Sequence, residues 1–145
     1  MHLADADFLL QEYFESVGVV KRDSAEEIRR YLGEPSSGFW LAYMDDFPVG
    51  CVALRPAPHI QNATECKRLY VRPRFRGHGI AAALLDALEG EARVKAIEWV
   101  YLDSTDEMQA ALRLYAARGY TPCARYNDNP QATVFLRKRL TPATH

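Results

Sequence analysis

The spacing of hydrophobic positions along the chain changes from the helical period to the strand period and back. Residues 5–17 carry an apolar stripe on one side of a helical repeat, whereas residues 39–44 and 49–54 have the apolar runs typical of strands. The turn formers between those two runs predict a hairpin. Ser24 precedes Glu27 by the three residues of a capping box, which indicates a helix start. The predicted elements are helices over 5–17 and 24–32, strands over 39–44, 49–54 and 64–71, a helix from 79, a strand over 97–103, a helix over 107–118 ended by Gly119, and strands over 120–126 and 133–140.

This order of elements predicts an α+β fold with a mixed sheet. The strand, helix and strand between residues 64 and 103 form a right-handed parallel crossover, and antiparallel hairpins flank it. The end of the crossover helix is not defined by the pattern, because Gly90 costs about 1 kcal/mol inside a helix. Because the chain has no repeat and no linker, we expect a single domain over residues 1–145.

Composition and charge then limit the class of protein. The 145 residues are 48% hydrophobic, enough for one core, and 18 Lys and Arg against 19 Asp and Glu exclude a nucleic-acid coat protein. No apolar run approaches the ~20 residues of a membrane span, and the acidic start does not fit a signal peptide. Three widely spaced cysteines and four histidines show no metal-ligand spacing. We therefore expect a cytoplasmic protein with no metal and with neither a nucleic acid nor a membrane as partner.

A glycine-rich turn joins the third strand to the next helix. Gly77 and Gly79 carry no side chain that would block a ligand, and the first N–H groups of the helix have no internal partners. Such a helix start attracts phosphate oxygens. Residues 67–85 contain five Lys or Arg and no Asp or Glu, which favours a diphosphate at this turn despite the overall charge of -1. The alternative is a tight connection whose arginines are simply solvated.

A dinucleotide-binding fingerprint is a second alternative for the same turn. The spacing Gly77-x-Gly79-x-x-Ala82 fits it, and Asp103 closes the next strand. However, five residues separate Val71 from Gly77, whereas the fingerprint leaves its strand almost directly. The 42 residues after Asp103 are too few for the remaining alternating units. The nicotinamide interpretation is therefore rejected.

Two stretches in the same order resemble the landmarks of GNAT-type (GCN5-related) N-acetyltransferases. The run Arg74-x-x-Gly77-x-Gly79 resembles the acyl-CoA signature of that family, and residues 111–120, with Tyr115 followed by a Gly and an aromatic, resemble its second landmark. The resemblance covers about residues 5–140 and implies a small, single-domain, bacterial-type member with the GNAT-like fold. The family usually opens with an edge strand, which here is either absent or supplied by the first few residues.

The resemblance implies acetyl-CoA as co-substrate. Backbone amides of residues 76–81 would hold its pyrophosphate, and Arg74 and Arg76 would add charge. The pantetheine arm would pair with the end of the third strand, in a gap between the strands over 64–71 and 97–103. Met108 stands where many relatives carry Asn, so backbone contacts would hold more of that arm. The implied acetyl-CoA contacts are Leu69, Tyr70, Val71, Arg74, Arg76, Gly77, His78, Gly79, Ile80 and Ala81.

The implied chemistry is direct attack of an amine on a thioester. An alkylamine has a pKa of about 10 and must lose a proton first, while the departing thiolate must gain one. Tyr115 is the hypothesised general acid for the CoA sulfur, with a core or interface Tyr as the alternative. Glu65, on the strand face shared with Lys67, is the hypothesised general base, with an ion-pair partner or solvated edge residue as the alternative. Asp103 and Ser104 lie where the thioester would sit, or else begin the following helix.

The polar loop over residues 126–130 would lie opposite the thioester by the same resemblance. Together with the positive charge of residues 67 and 68, it indicates a small primary amine that also bears a carboxylate, such as an amino acid. A protein or peptide amine and a non-catalytic acyl-CoA sensor stay open as alternatives. Exposed last strands favour a homodimer. The candidate acceptor-binding residues are Lys67, Arg68, Tyr126, Asn127 and Asn129.

Overall fold

The computed structural model describes residues 3–17, 37–57 and 59–141. The predicted helix over 24–32 lies outside these residues. The elements are α1 (Leu3–Val17), β1 (Gly38–Met44), β2 (Phe47–Pro56), β3 (Ala63–Val71), α2 (Ile80–Val94), β4 (Trp99–Ser104), α3 (Gln109–Ala117), β5 (Thr121–Pro122) and β6 (Val134–Arg139), with a short 3₁₀ turn at Pro73–Phe75 before α2. Parallel and antiparallel strand pairs are both present, which confirms the predicted mixed sheet.

The described residues form two compact units, and β3 and α2 each run through both. The first unit comprises Met1–Arg55 and Lys67–Leu88, and the second comprises Pro56–Cys66 and Glu89–His145. A single domain over residues 1–145 stays a prediction.

In the first unit, α1 buries the apolar stripe that the sequence predicts. Ala6, Leu9 and Leu10 follow the helical repeat and are almost fully buried, in a core shared with Phe39 of β1 and Cys51 of β2. Strands β1 and β2 form the predicted hairpin, paired in register from Gly38–Leu54 to Met44–Phe47 with one irregularity after Ala42. The sheet order in this unit is β1-β2-β3.

In the second unit the sheet order is β3-β4-β6-β5. Strand β3 pairs in parallel with β4 from Ala63–Trp99 to Glu65–Tyr101, which confirms the predicted parallel arrangement. Strand β6 pairs antiparallel with both β4 and β5. The expected homodimer stays a prediction.

Two predicted boundaries are wrong for local reasons, and one helix end that the sequence pattern does not define is seen in the structure. The strand over 120–126 is reduced to Thr121–Pro122, because Pro122 has no N–H for the ladder, although the Cys123 N–H still reaches the Phe135 carbonyl at 2.9 Å. Helix α2 passes through Gly90 and ends at Val94, since the buried side chains of Leu88 and Ala92 hold the turn on either side. The helix expected from residue 107 begins at 109, so Asp103 and Ser104 belong to β4 and not to a helix start.

Candidate functional site

The glycine turn in the first unit has the geometry that an anion-binding loop needs. Gly77 and Gly79 have φ of +83° and +79°, a backbone conformation that favours glycine. A Cβ placed on either residue would meet no atom within 4 Å, so the space beside both is open. Helix α2 begins at Ile80, and its first N–H groups have no acceptor within the helix. This open cradle fits an approaching phosphate group.

The arginines near this turn differ in their contacts. Arg74 and Arg76 are exposed, and the Arg76 Nε donates to the Val71 carbonyl at 2.9 Å. Arg72 is paired with Glu12 at 3.1 Å and lies over the rings of Phe8 and Phe47, with its guanidinium carbon 5.1 and 5.6 Å from their centres. Arg72 therefore stabilises the packing of α1, whereas Arg74 and Arg76 present charge at the turn.

The predicted pantetheine strand is largely buried and held by α1. Val71 and Tyr70 are buried, Leu69 is half-buried, and the Tyr70 hydroxyl donates to Glu12 at 3.0 Å. Burial and the Glu12 carboxylate raise the pKa of Tyr70 to about 12. The other two contacts implied on this side are exposed His78 and half-buried Ala81.

The same strand contains a strained residue that the sequence did not predict. Arg68 has φ of +61° within β3, and its carbonyl oxygen accepts a hydrogen bond from the Cys51 thiol at 3.4 Å. A non-glycine residue in this conformation costs about 1–3 kcal/mol and marks a local irregularity of the strand. It lies directly before Leu69, while the neighbouring Lys67 is buried.

In the second unit, three predicted site residues lie in contact. Glu65 is 0% exposed, and its Oε2 accepts hydrogen bonds from the Tyr126 hydroxyl at 2.6 Å and from the Asn127 amide at 3.0 Å. The same amide donates to Asp103 Oδ2 at 2.6 Å. Burial and the negative charge of Glu65 raise the pKa of Tyr126, so its phenol stays protonated. The hypothesised base is thus joined to the hypothesised acceptor loop.

The acceptor loop is held in shape by its own hydrogen bonds. The Asn129 N–H donates to Asn127 Oδ1, and Asn129 Oδ1 accepts from the Gln131 N–H, both at 3.1 Å. The Arg125 guanidinium donates to the carbonyls of Asn127, Asn129 and Ala132 at 3.4, 3.0 and 3.2 Å. The side-chain oxygen of Asn129 thus supports the loop.

Tyr115, the hypothesised acid, lies on α3 and is 6% exposed. Its ring meets the ring of Tyr120 edge-on at 5.7 Å, and its carbonyl accepts from the Tyr120 N–H at 3.0 Å. Gly119, with φ of +94°, ends the helix as predicted. Met108 precedes α3 and makes no side-chain cap.

Sequence reasoning missed several polar residues of the second unit. The sequence places Asp103 at the thioester or at a helix start and does not indicate that its carboxylate accepts a hydrogen bond from Asn127. Glu89 is buried among cations, and its position four residues after Leu85 on the buried stripe of α2 could have revealed it. Arg137 lies opposite Tyr101 in the β4–β6 register, and only that pairing could have indicated that both line one pocket.

Within residues 3–17, 37–57 and 59–141, no group of three His, Cys, Asp or Glu could hold a metal ion. Over the same residues, no helix has the length and apolar character needed to cross a membrane. A cytoplasmic location stays a prediction.

Comparison with known proteins decides the family. The acetyltransferase (GNAT) family matches residues 5–120. The chain belongs to that family. The assignment confirms the predicted enzyme class, an acyl-CoA-dependent N-acetyltransferase that uses acetyl-CoA.

Two relatives and one solved structure illustrate how far the similarity extends. An uncharacterized N-acetyltransferase of Schizosaccharomyces pombe is 31% identical over 148 residues, covering 96% of this chain and 89% of that protein. The N-acetylaspartate synthetase of Homo sapiens is 39% identical over 120 residues, which is 81% of this chain but 39% of that protein. The paia N-acetyltransferase of Thermoplasma acidophilum, solved in complex with coenzyme A, has a TM-score of 0.75 at 18% identity, covering 94% of this chain and 92% of that one. That likeness confirms the predicted acyltransferase fold.

Proposed function

We propose that this acetyltransferase transfers the acetyl group of acetyl-CoA to the primary amine of a small molecule that also bears a carboxylate. The observation that carries the proposal is the contact between Glu65 and the loop residues Tyr126 and Asn127, at 2.6 and 3.0 Å. It joins a buried carboxylate, the type of group that takes up an amine proton, to the loop assigned to the acceptor.

The glycine turn is the proposed site of the acetyl-CoA pyrophosphate. Its support is the open space beside Gly77 and Gly79 and the exposed guanidinium groups of Arg74 and Arg76. The amides of residues 76–81 would bind the phosphate oxygens, and residues 69–71 would bind the pantetheine arm. When bound, the thioester supplies an activated acetyl group.

Two side chains of the second unit carry the proposed proton transfers. Glu65 accepts the proton that the ammonium must lose before its nitrogen attacks the acetyl carbonyl. As the new C–N bond forms and the C–S bond breaks, Tyr115 donates its phenolic proton to the sulfur, and the second proton that the attacking nitrogen loses restores the Tyr115 phenol through solvent. The hydrogen bonds from Tyr126 and Asn127 hold the Glu65 carboxylate in place.

A carboxylate on the acceptor is favoured by charge and by one relative. Lys67 and Arg68 lie in β3 directly before residues 69–71, the proposed pantetheine contacts, and the similar N-acetylaspartate synthetase is named for an acetylated amino acid with two carboxylates. An amino acid or a related metabolite is therefore the proposed acceptor class.

The test is release of free CoA thiol from acetyl-CoA with a panel of amines. L-Aspartate, glycine, spermidine and a peptide with a free amino terminus represent the competing classes. We expect amine-dependent release, fastest with an amino acid. Faster release with spermidine or the peptide would contradict the acceptor class, and no release with any amine would contradict the transfer function.

A further inference from the structure

A pocket of about 330 Å³ opens within the second unit. Its size is at the lower end of small-molecule sites. Tyr126 both lines the pocket and donates its hydroxyl proton to Glu65, so this one side chain connects the pocket with the buried carboxylate of the hypothesised base. Its lining includes Ile60, Tyr101, Cys123, Arg125, Tyr126 and Arg137.

Arg137 is a half-buried cation whose orientation is fixed. Its Nη1 donates to the Tyr101 hydroxyl at 3.2 Å, and its guanidinium carbon lies 4.3 Å from the centre of the Trp99 ring. In the described ranges 3–17, 37–57 and 59–141, no carboxylate forms an ion pair with it, whereas Arg139 on the same strand pairs with Glu98 at 2.9 Å. A guanidinium has five N–H donors in a planar fork that matches a carboxylate. Arg137 therefore has donors left for a ligand.

The other charged groups around the pocket already have protein partners. Arg125 donates to three loop carbonyls, so it shapes the pocket wall. Glu65 and Asp103 accept hydrogen bonds from Tyr126 and Asn127. A positive group in the lining of a partly open pocket, with the Glu65 carboxylate behind Tyr126, suits an occupant with an amine at one end and an anion at the other.

We infer that Arg137 binds a carboxylate of the acceptor and so selects acidic amines over their neutral analogues. The inference rests on the proposed function, because it takes the acceptor amine to lie beside Glu65. Trp99 and Tyr101 act as positioning residues that hold the guanidinium by stacking and by a hydrogen bond. Arg137 thus determines the specificity for the acceptor.

The kinetic test compares L-aspartate with its diamide, in which both carboxylates are neutral. Arg137→Gln removes the cation, and Arg139→Gln is the matched control because that side chain is 70% exposed on the same strand. We expect Arg137→Gln to raise the KM for L-aspartate at least tenfold, since a hydrogen bond to a charged group is lost, and to leave the diamide unchanged. Arg139→Gln should change neither KM by more than about twofold.

Calorimetric binding of L-aspartate to the CoA-saturated protein tests the carboxylate site separately from acetyl transfer. Weaker binding in Arg137→Gln but not in Arg139→Gln supports the carboxylate site even if no amine is acetylated, in which case the transfer proposal alone fails. Equal binding by wild type and Arg137→Gln, or no binding to the wild type, overturns the inference. In that event, amine-dependent CoA release in the panel above would leave the transfer proposal standing.

Discussion

Glu89 is a buried charge whose neutralisation is predicted to destabilise the protein strongly. Its side chain is 1% exposed, and its carboxylate accepts from the Lys138 Nζ at 2.7 Å and the Tyr120 hydroxyl at 3.0 Å. Arg118 and Arg93 lie at 3.4 and 3.6 Å. Glu89→Gln keeps the shape of the side chain but leaves three cations around a neutral group.

The size of the effect follows from burial. Removing one partner of a buried ion pair costs about 3–5 kcal/mol, because the remaining charge is left uncompensated. The three cations are 17–30% exposed and are therefore partly rehydrated, which places the expected loss near the lower limit, about 3 kcal/mol. Glu91→Gln on the same helix is the matched control. Glu91 is 42% exposed and pairs with Lys95 at 3.5 Å, so its loss should cost no more than about 0.5 kcal/mol.

Equilibrium unfolding in urea measures both variants at neutral pH. We expect a large decrease in the midpoint for Glu89→Gln and almost none for Glu91→Gln, with the same slope of free energy against urea. A decrease in the free energy of unfolding of less than about 1 kcal/mol for Glu89→Gln would refute this prediction. It would mean that the three cations do not depend on the Glu89 charge for stabilisation.

Three further predictions follow from named contacts. Gly79→Ala should destabilise the fold by about 1–2 kcal/mol, because Gly79 has φ of +79°, and it should raise the KM for acetyl-CoA. Gly90→Ala, inside α2, should instead stabilise the fold by up to about 1 kcal/mol, as measured by thermal unfolding. Tyr115→Phe should lower the kcat for acetyl transfer by about 10²-fold or more with the unfolding midpoint kept, and unchanged turnover would remove Tyr115 from the mechanism. The pKa of Tyr70 is raised from 10.0 to about 12, so its stabilisation is complete below pH 10 and is lost as pH rises to 12. Tyr70→Phe should reduce that alkaline loss of stability, and an identical pH profile would contradict it.

The elements and the glycine turn could be predicted because their signals are local. The apolar stripe of α1 indicates burial through its helical period, and the continuous apolar run of β2 indicates a strand buried on both faces. Gly77 and Gly79 stand where the backbone has positive φ, which few other residues adopt. The geometry of the turn could therefore be predicted from the sequence, whereas anion binding at it stays a prediction.

The remaining features depend on contacts that the sequence does not encode locally. Glu65 meets Tyr126 across a separation of 61 residues, and the pocket that contains Arg137 exists only after β4 and β6 pair. The positive φ of Arg68 has no compositional signal, since arginine is not a residue that favours it. The position of Glu89 on the buried stripe of α2 is a local signal, but the cations that neutralise it, Arg118 and Lys138, are distant in sequence.

The most direct test of acetyl transfer with Glu65 as base compares wild type with Glu65→Gln. The rate at which acetylated product forms is measured across a range of pH at saturating acetyl-CoA. We predict product only when an amine is present. At neutral pH we predict a decrease of about 10²-fold in Glu65→Gln. The rate of the variant should recover as pH approaches the amine pKa of about 10, where the free amine no longer needs a base. Equal rates at neutral pH for the two folded proteins would contradict the assignment of Glu65, and no acetylated amine with the wild type would contradict the proposed function itself.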